Sequence, residues 1–143
     1  MTPELMAQLH AKCFPERPWS ADEFDNLSRQ SGCVVQWAPA NSGFVVARSV
    51  LDEAEILTIA VDPKFRRRGY GRLLMQNLSD HLVKATPPCA TLFLEVSAHN
   101  RPAYNLYIQL GFVESGRRKG YYRDNAGQNV DAVVMTATCP LVS

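Results

Sequence analysis

The chain has 143 residues, of which 46% are hydrophobic and 20% are charged, and its formal net charge is +1. This length favours one domain with a real hydrophobic core, and we expect that domain to span residues 1–143. A single net charge offers nucleic acid no general attraction, and no apolar run comes near the length of about 20 residues that crosses a bilayer. We expect a cytoplasmic monomer or weak dimer that binds neither nucleic acid nor membranes.

The cysteines and histidines are too dispersed to indicate a metal. Four cysteines and three histidines are scattered along the chain without a C-x-x-C or any other regular spacing. We therefore expect reduced, mostly buried thiols and no metal site.

The first part of the chain carries the signals of two helices. Thr2 can cap a helix that begins at Pro3 and runs to about Phe14. Ser20 and Glu23 have the spacing of a capping box, which predicts a second helix that runs to about residue 30.

Strands and two further helices alternate along the rest of the chain. The predicted strands are 33–38, 44–50, 54–61, 91–96, 112–116 and 130–137. The third predicted helix begins after Gly71, and the fourth, 101–110, is capped by Asn100. Strands 54–61 and 91–96 are joined through a helix, which predicts a parallel pair. The predicted fold class is α/β (α+β), with a mixed, mostly antiparallel sheet that has a central parallel pair and helices on both faces. A polar loop, 124–129, is predicted before the last strand.

A basic turn that contains glycines lies between strand 54–61 and the next helix. Residues 66–71 read RRRGYG. Glycines let a backbone approach a ligand closely, turn amides and a helix N-terminus donate hydrogen bonds, and arginines add positive charge, so a phosphate or pyrophosphate fits. The segment matches neither G-x-x-x-x-G-K-[ST] nor G-x-G-x-x-G. A solvated loop that only caps the helix is the alternative.

Further polar residues follow the second parallel strand. Glu95 lies near its end, Asn100 opens the next helix, and Tyr107 lies within that helix. Ligands of open α/β sheets bind outside the carboxyl ends of parallel strands, so Val61 and Glu95 are expected at one crevice.

These segments resemble, in order and spacing, the motifs of the GCN5-related N-acetyltransferase (GNAT) superfamily. The matching segments are 59–63, the R-x-x-G-x-G pattern at 66–71, 94–96 with Asn100, and 106–107 with 110–112. More narrowly, the chain resembles the bacterial ribosomal-protein-alanine N-acetyltransferases at 18–20, 52–57, 118–122 and 131–135. The resemblance covers essentially the whole chain.

The resemblance implies acetyl-CoA as the cosubstrate. Its pyrophosphate would lie in the basic turn, and its pantetheine arm would pair with the backbone of strand 54–61. The residues implied to bind it are Ile59, Ala60, Val61, Arg66, Arg67, Arg68, Gly69, Tyr70, Gly71, Arg72 and Asn100. For Asn100, a helix cap without any ligand contact is the alternative.

Acetyl transfer from a thioester to an amine needs a base for the amine, stabilisation of the oxyanion and a proton for the departing thiolate. Glu95 is the implied base, acting through a water, since a charge in an otherwise apolar strand is costly unless it has a purpose. Tyr107 is the implied acid. The alternatives are a glutamate that reaches solvent or a salt bridge, and a tyrosine that is a core aromatic.

Glu55, Tyr121 and Tyr122 are the residues implied to bind the acceptor, although the two tyrosines could instead be plain strand-edge aromatics. An α-amine has a reference pKa of about 8 and a lysine about 10.4, so an N-terminus is easier to deprotonate. The predicted function is transfer of acetyl to the N-terminal α-amine of a protein, and a ribosomal protein that begins with Ala is the acceptor that the resemblance implies. The alternatives are a GNAT that acts on lysine or small amines, and a non-catalytic acyl-CoA-binding regulatory module.

Overall fold

Six strands form one sheet that has helices on both faces. The computed structural model describes residues 1–124 and 126–142. Its elements are α1 (Pro3–Cys13), α2 (Ala21–Ser28), β1 (Cys33–Trp37), β2 (Gly43–Val50), β3 (Glu53–Val61), α3 (Tyr70–Val83), β4 (Thr91–Ser97), α4 (Arg101–Gln109), β5 (Val113–Arg123) and β6 (Asn129–Thr138). The strand order is β1-β2-β3-β4-β6-β5, and only β3 and β4 are parallel. This confirms the predicted mixed sheet with a central parallel pair.

The first two helices begin where their sequence signals predict. The Thr2 hydroxyl accepts a hydrogen bond from the Leu5 N–H at 3.2 Å. The Ser20 hydroxyl accepts from the Glu23 N–H at 3.1 Å, and the Glu23 carboxylate accepts from the Ser20 N–H at 3.2 Å. These contacts satisfy N–H groups that have no partner inside a helix. None of the described helices is both long and apolar enough to span a membrane.

Helix α3 begins earlier than the sequence predicts. Its first residue is Tyr70, and Gly69 is the cap, with a φ of +76° in the left-handed region that favours glycine. The Leu73 N–H donates to the Gly69 carbonyl at 2.9 Å, which closes the first turn. The predicted start after Gly71 is therefore wrong, because Gly69 ends the turn and Tyr70 and Gly71 already belong to the helix.

Strand β5 is longer than predicted. Its predicted end at residue 116 is wrong, because residues 117–123 continue to pair with β6 across an irregular stretch. The first strand residue of β6 is Asn129, one residue before its predicted start. The predicted polar loop, 124–129, includes residue 125, which lies outside the described residues.

Two hydrophobic cores lie on the two faces of the sheet. The core under α3 and α4 contains Leu74, Leu92, Phe112 and Met135 among its fully buried residues. The core under α1 and α2 is smaller and includes Phe24 and Phe44. Helices α1 and α2 pack over β1 to β3, so in the described structure no helix covers β4, β6 and β5 on this second face.

A β-bulge changes which residues of β3 face each core. Ala47 of β2 pairs with Ile56 and Val46 pairs with Thr58, so Leu57 is the extra residue. A bulge shifts the alternation of side chains by one position. Ile56 and the later Ile59 consequently face the α3–α4 core, whereas Leu57 faces the α1–α2 core.

His10 is a buried histidine in the α1–α2 core. It is 3% exposed, its ring stacks on Phe14 and Trp19 with centroids 4.5 and 5.0 Å away, and its Nδ1 accepts a hydrogen bond from the Trp19 N–H at 3.1 Å. Burial lowers its pKa to about 4, against a smaller opposing effect of Glu23. The folded state therefore favours the neutral ring.

We expect His10 to make stability depend on pH between 6.5 and 4. The unfolded chain takes up the histidine proton below about pH 6.5, but the fold resists it until about 4, so stability falls as the pH falls. In urea unfolding, the difference in stability between wild type and His10→Asn should narrow by about 2 kcal/mol from pH 7 to pH 5. A difference between wild type and His10→Asn that stays constant over this pH range would contradict the assignment.

Candidate active site

The centre of the sheet contains a gap between its two parallel strands. Only three residue pairs join β3 to β4, from Glu53 with Thr91 to Glu55 with Phe93. Beyond them β3 pairs with β2 alone and β4 with β6 alone. Along residues 56–61, the backbone N–H and C=O groups of β3 that point to the gap therefore pair with no strand, although the Val61 carbonyl accepts a hydrogen bond from the Cys13 thiol at 3.3 Å. Such an edge can pair with an extended, amide-bearing ligand.

The basic turn at the end of β3 offers a cluster of hydrogen-bond donors. The N–H groups of Tyr70, Gly71 and Arg72 lie in the first turn of α3, where a helix supplies no acceptors. No atom lies within 4 Å of the position that a side chain would take at Gly69, so a ligand can approach this backbone. Helix N-termini with free amides bind anions, so the turn fits a phosphate or pyrophosphate.

The arginine side chains around this turn have different neighbours. Arg66, Arg67 and Arg68 are exposed. The Arg66 guanidinium lies 3.7 Å from the Cys13 sulfur, and that of Arg68 lies 5.1 Å from the centre of the Phe65 ring. The Arg72 guanidinium donates to the Gln109 side chain of α4 at 2.6 Å. Arg72 is thus turned towards α4, and what it offers an anion is its backbone N–H.

Glu95 lies on β4 beside the gap. Its neighbours Leu94 and Val96 face the α3–α4 core, so the Glu95 side chain points to the opposite, uncovered face. The side chain is 26% exposed, and its Oε1 lies 3.1 Å from an Arg118 guanidinium nitrogen. The salt bridge that the sequence left as an alternative is therefore present, at a carboxylate that solvent still reaches.

Tyr107 reaches the same region from the other side of the sheet. It is 5% exposed, lies in the α3–α4 core and packs on Phe112 with ring centroids 5.7 Å apart. Burial, with a smaller effect of the charge on Tyr122, raises the pKa of its hydroxyl to about 12. Tyr107 is therefore a core aromatic whose hydroxyl keeps its proton throughout the neutral range.

Tyr121 and Tyr122 lie at the far end of β5, where the strand is irregular. Their rings are in edge contact with centroids 5.1 Å apart; Tyr121 is 54% exposed, and Tyr122 is partly buried. Burial, followed by the charge of Glu95, raises the pKa of the Tyr122 hydroxyl. The pKa of Tyr122 is thus affected by Glu95 and that of Tyr107 by Tyr122, which places Tyr122 near both residues.

Two other predicted residues have more local surroundings. The Asn100 side chain accepts a hydrogen bond from the Ala103 N–H at 3.4 Å, which is the helix-cap geometry. Glu55 is exposed and pairs with Phe93, at the closed end of the gap. Tyr122 pairs with β6 beyond the last residue pair of β4 with β6, so Glu55 and the tyrosines occupy opposite ends of the site.

The sequence assigned no role to three residues that shape this region. Arg118 contacts Glu95, Gly120 has a φ of +62°, and Asp131 accepts a hydrogen bond from the Gly120 N–H at 3.0 Å. A bond from a strand backbone to a side chain fixes the irregular stretch that presents the two tyrosines. An isolated glycine within a strand pattern was the available signal.

The arrangement combines four chemical elements. A basic turn with free backbone amides is followed by an unpaired strand edge, and a carboxylate and a protonated phenol lie farther along the gap. Among residues 1–124 and 126–142, no group of three or more His, Cys, Asp or Glu side chains could hold a metal ion. Such a site suits proton transfer to and from a substrate bound through an anionic group.

Known proteins with the same features were found by sequence and by structure. Residues 4–112 match the model of the Acetyltransferase (GNAT) family. The chain is 40% identical over 122 residues to the ribosomal protein bS18-alanine N-acetyltransferase of Escherichia coli K12, a match that covers 82% of this chain and 79% of that protein. The crystal structure of the ribosomal-protein-S18-alanine N-acetyltransferase from Escherichia coli has a TM-score of 0.82 at 33% identity, covering 100% of this chain and 92% of that one. Arabidopsis thaliana NAA60 in complex with acetyl-CoA has a TM-score of 0.78 at 25% identity, covering 96% and 95%.

Proposed function

We propose that this chain, which belongs to the acetyltransferase (GNAT) family, transfers acetyl from acetyl-CoA to the N-terminal α-amine of a protein. The family predicted from the sequence motifs is confirmed by the match over residues 4–112. The bacterial relative that is 40% identical acts, by its name, on the alanine of ribosomal protein bS18. A ribosomal protein that begins with Ala is therefore the proposed acceptor, and the reaction would then take place in the cytoplasm.

The residues around the gap fit acetyl-CoA. The turn amides at Tyr70 and Gly71, with the exposed arginines before them, suit its pyrophosphate. The unpaired edge of β3 at residues 59–61 suits the amides of its pantetheine arm, with an N–H there available to an oxyanion. The bound thioester supplies an activated acetyl group. The observation that best supports the proposal is the gap itself, which joins the anion site to Glu95.

Glu95 and Tyr107 are proposed to move the protons. The Glu95 carboxylate accepts a proton from the acceptor amine through a water, which its partly exposed position on the uncovered face allows. The Tyr107 hydroxyl donates its proton to the departing sulfur. Its raised pKa, about 12, keeps that proton in place until transfer. Glu95 thus has a proposed catalytic role besides its ion pair with Arg118, and Tyr107 has one besides its packing in the α3–α4 core.

The acceptor is proposed to bind on the uncovered face of β4, β6 and β5. Glu95 points to this face, and the exposed Tyr121 lies at its open end. A small first residue such as Ala fits a narrow space beneath Tyr121 and Tyr122. An α-amine also loses its proton more readily than a lysine, with reference pKa values of about 8 and 10.4.

The acceptor assignment is tested with two peptides and acetyl-CoA. One peptide begins with a free Ala, and the other has a blocked N-terminus and an internal lysine. We expect acetylation of the first on its α-amine and little reaction of the second, because the α-amine is the easier group to deprotonate. Mass spectrometry of the products locates the acetyl group.

Other outcomes of this experiment distinguish the alternatives. If the lysine is acetylated and the free N-terminus is not, the proposed acceptor is wrong, but the protein is still an acetyltransferase. Binding of acetyl-CoA without turnover of any peptide would favour the regulatory module.

Glu95→Gln keeps the shape of the side chain and removes its basicity. We expect acetyl-CoA affinity to persist while turnover at pH 7 falls by about 10²–10⁴-fold, with partial recovery at higher pH as the amine deprotonates unaided. Glu53→Gln, which removes a carboxylate from the same face at the start of β3, should leave turnover unchanged. Steady-state rates from pH 6 to pH 10 make the comparison, and wild-type turnover of Glu95→Gln at pH 7 would exclude this base.

Tyr107→Phe removes one hydroxyl while the ring can still pack on Phe112. We expect stability to change by about 1 kcal/mol or less and turnover to fall by about tenfold or more, because the proton donor is lost. Tyr104→Phe is the matched control: it removes a hydroxyl one turn earlier on α4, where that group donates to Glu114 at 2.8 Å. Equal turnover in the two variants would leave Tyr107 a core aromatic without a catalytic role.

A further inference from the structure

The guanidinium of Arg118 lies between the proposed base and an aromatic ring of the acceptor site. One of its nitrogens is 3.1 Å from Glu95 Oε1, and its central carbon is 4.9 Å from the centre of the Tyr121 ring. Two other carboxylates in this region, Glu114 of β5 and Asp131 of β6, are paired with Arg117. Among the ion pairs of the described structure, Glu95 has Arg118 as its partner.

The register of the sheet explains how Arg118 reaches Glu95. Ala132 of β6 pairs with Ser97 of β4 on one side and with Arg118 of β5 on the other. Ser97 and Glu95 lie two residues apart on β4 and so share a face. The backbone of Arg118 therefore lies in the same row across the sheet as Ser97. Its side chain extends diagonally over β6 to Glu95, and the small side chain of Ala132 leaves room for it.

The irregular stretch of β5 fixes the position from which the Arg118 side chain extends. Arg118 is the last residue of β5 in register before the stretch that Gly120 and Asp131 hold in place. Tyr121 lies in the same stretch, so the Tyr121 ring and the Arg118 guanidinium extend from neighbouring positions of β5. The Arg118 side chain is thus held from one side by Tyr121 and contacts Glu95 on the other.

This ion pair contributes little to the stability of the fold. The Arg118 side chain is 56% exposed and that of Glu95 is 26% exposed. Exposed pairs typically contribute about 0–1 kcal/mol, because solvent screens the attraction and the side chains lose freedom. A substitution of Arg118 should leave the protein folded, so its effect on the reaction can be measured separately.

We propose that Arg118 is a positioning residue that orients the Glu95 carboxylate towards the acceptor amine. The inference rests on the proposed function, since it needs Glu95 to act as the base. One carboxylate oxygen contacts Arg118, which directs the second oxygen to the water that carries the proton. Rates of proton transfer depend steeply on such geometry, and a displacement of about 1 Å can cost about 10²-fold.

The test is a double-mutant cycle on turnover of the Ala peptide. In the wild-type background, Arg118→Gln should lower kcat by about tenfold or more and leave the KM for acetyl-CoA unchanged, and Arg118→Lys should restore part of kcat. In the Glu95→Gln background, measured at a pH of about 9 where residual turnover is highest, Arg118→Gln should cost less than about twofold. Lys119→Gln, the same charge change at the next residue, should match wild type.

Each contrary result has a separate meaning. If Arg118→Gln lowers kcat equally with and without Glu95, or does not lower it, Arg118 does not act through the base and the inference is wrong. In both cases the wild-type enzyme still acetylates the α-amine, so the proposed function stands. If wild type itself fails to acetylate the peptide, the proposed function fails, and this inference fails with it.

Discussion

Beyond the pair formed by Glu55 and Phe93, the facing edges of β3 and β4 carry backbone N–H and C=O groups that no strand satisfies. Such groups are costly when they are buried without partners, so this part of the sheet has to stay accessible to water or to a ligand. The anion-binding turn opens at the end of β3, and Glu95 lies on β4 across the same gap. The separation of the two strands therefore determines where a ligand can lie and which side chains it meets.

The gap stays open because each of the two strands that border it is paired on its other edge and packed into a hydrophobic core. Leu57 faces the α1–α2 core, and the bulge shifts the alternation so that Ile59 and Val61 face the α3–α4 core. Strand β3 is thus packed on both faces and paired with β2, and its remaining edge is the one that faces β4. Strand β4 packs its buried residues into the α3–α4 core on one face and pairs with β6 along its whole length. Closing the gap would require one strand to leave its own core.

The order and type of all ten major elements could be predicted because their signals are local. The capping box at Ser20 and Glu23 and the change from strand to helical periodicity act within a few residues. The bulge at Leu57, the length of β5 and the contact of Arg118 with Glu95 depend on pairing between distant segments. No pattern within one strand specifies them, so they could be found only in the structure.

Residue type alone also fails to separate structural from reactive groups here. Glu95 and Asp131 are carboxylates on neighbouring strands, and each has a partly exposed ion pair with an arginine of β5. Asp131 also accepts a hydrogen bond from the Gly120 N–H, whereas solvent still reaches the Glu95 carboxylate, as its proposed proton transfer through a water requires. Asp131 instead holds the backbone that presents Arg118. Asp131 thus orders the part of β5 that carries Arg118, beside the carboxylate for which the catalytic role is proposed.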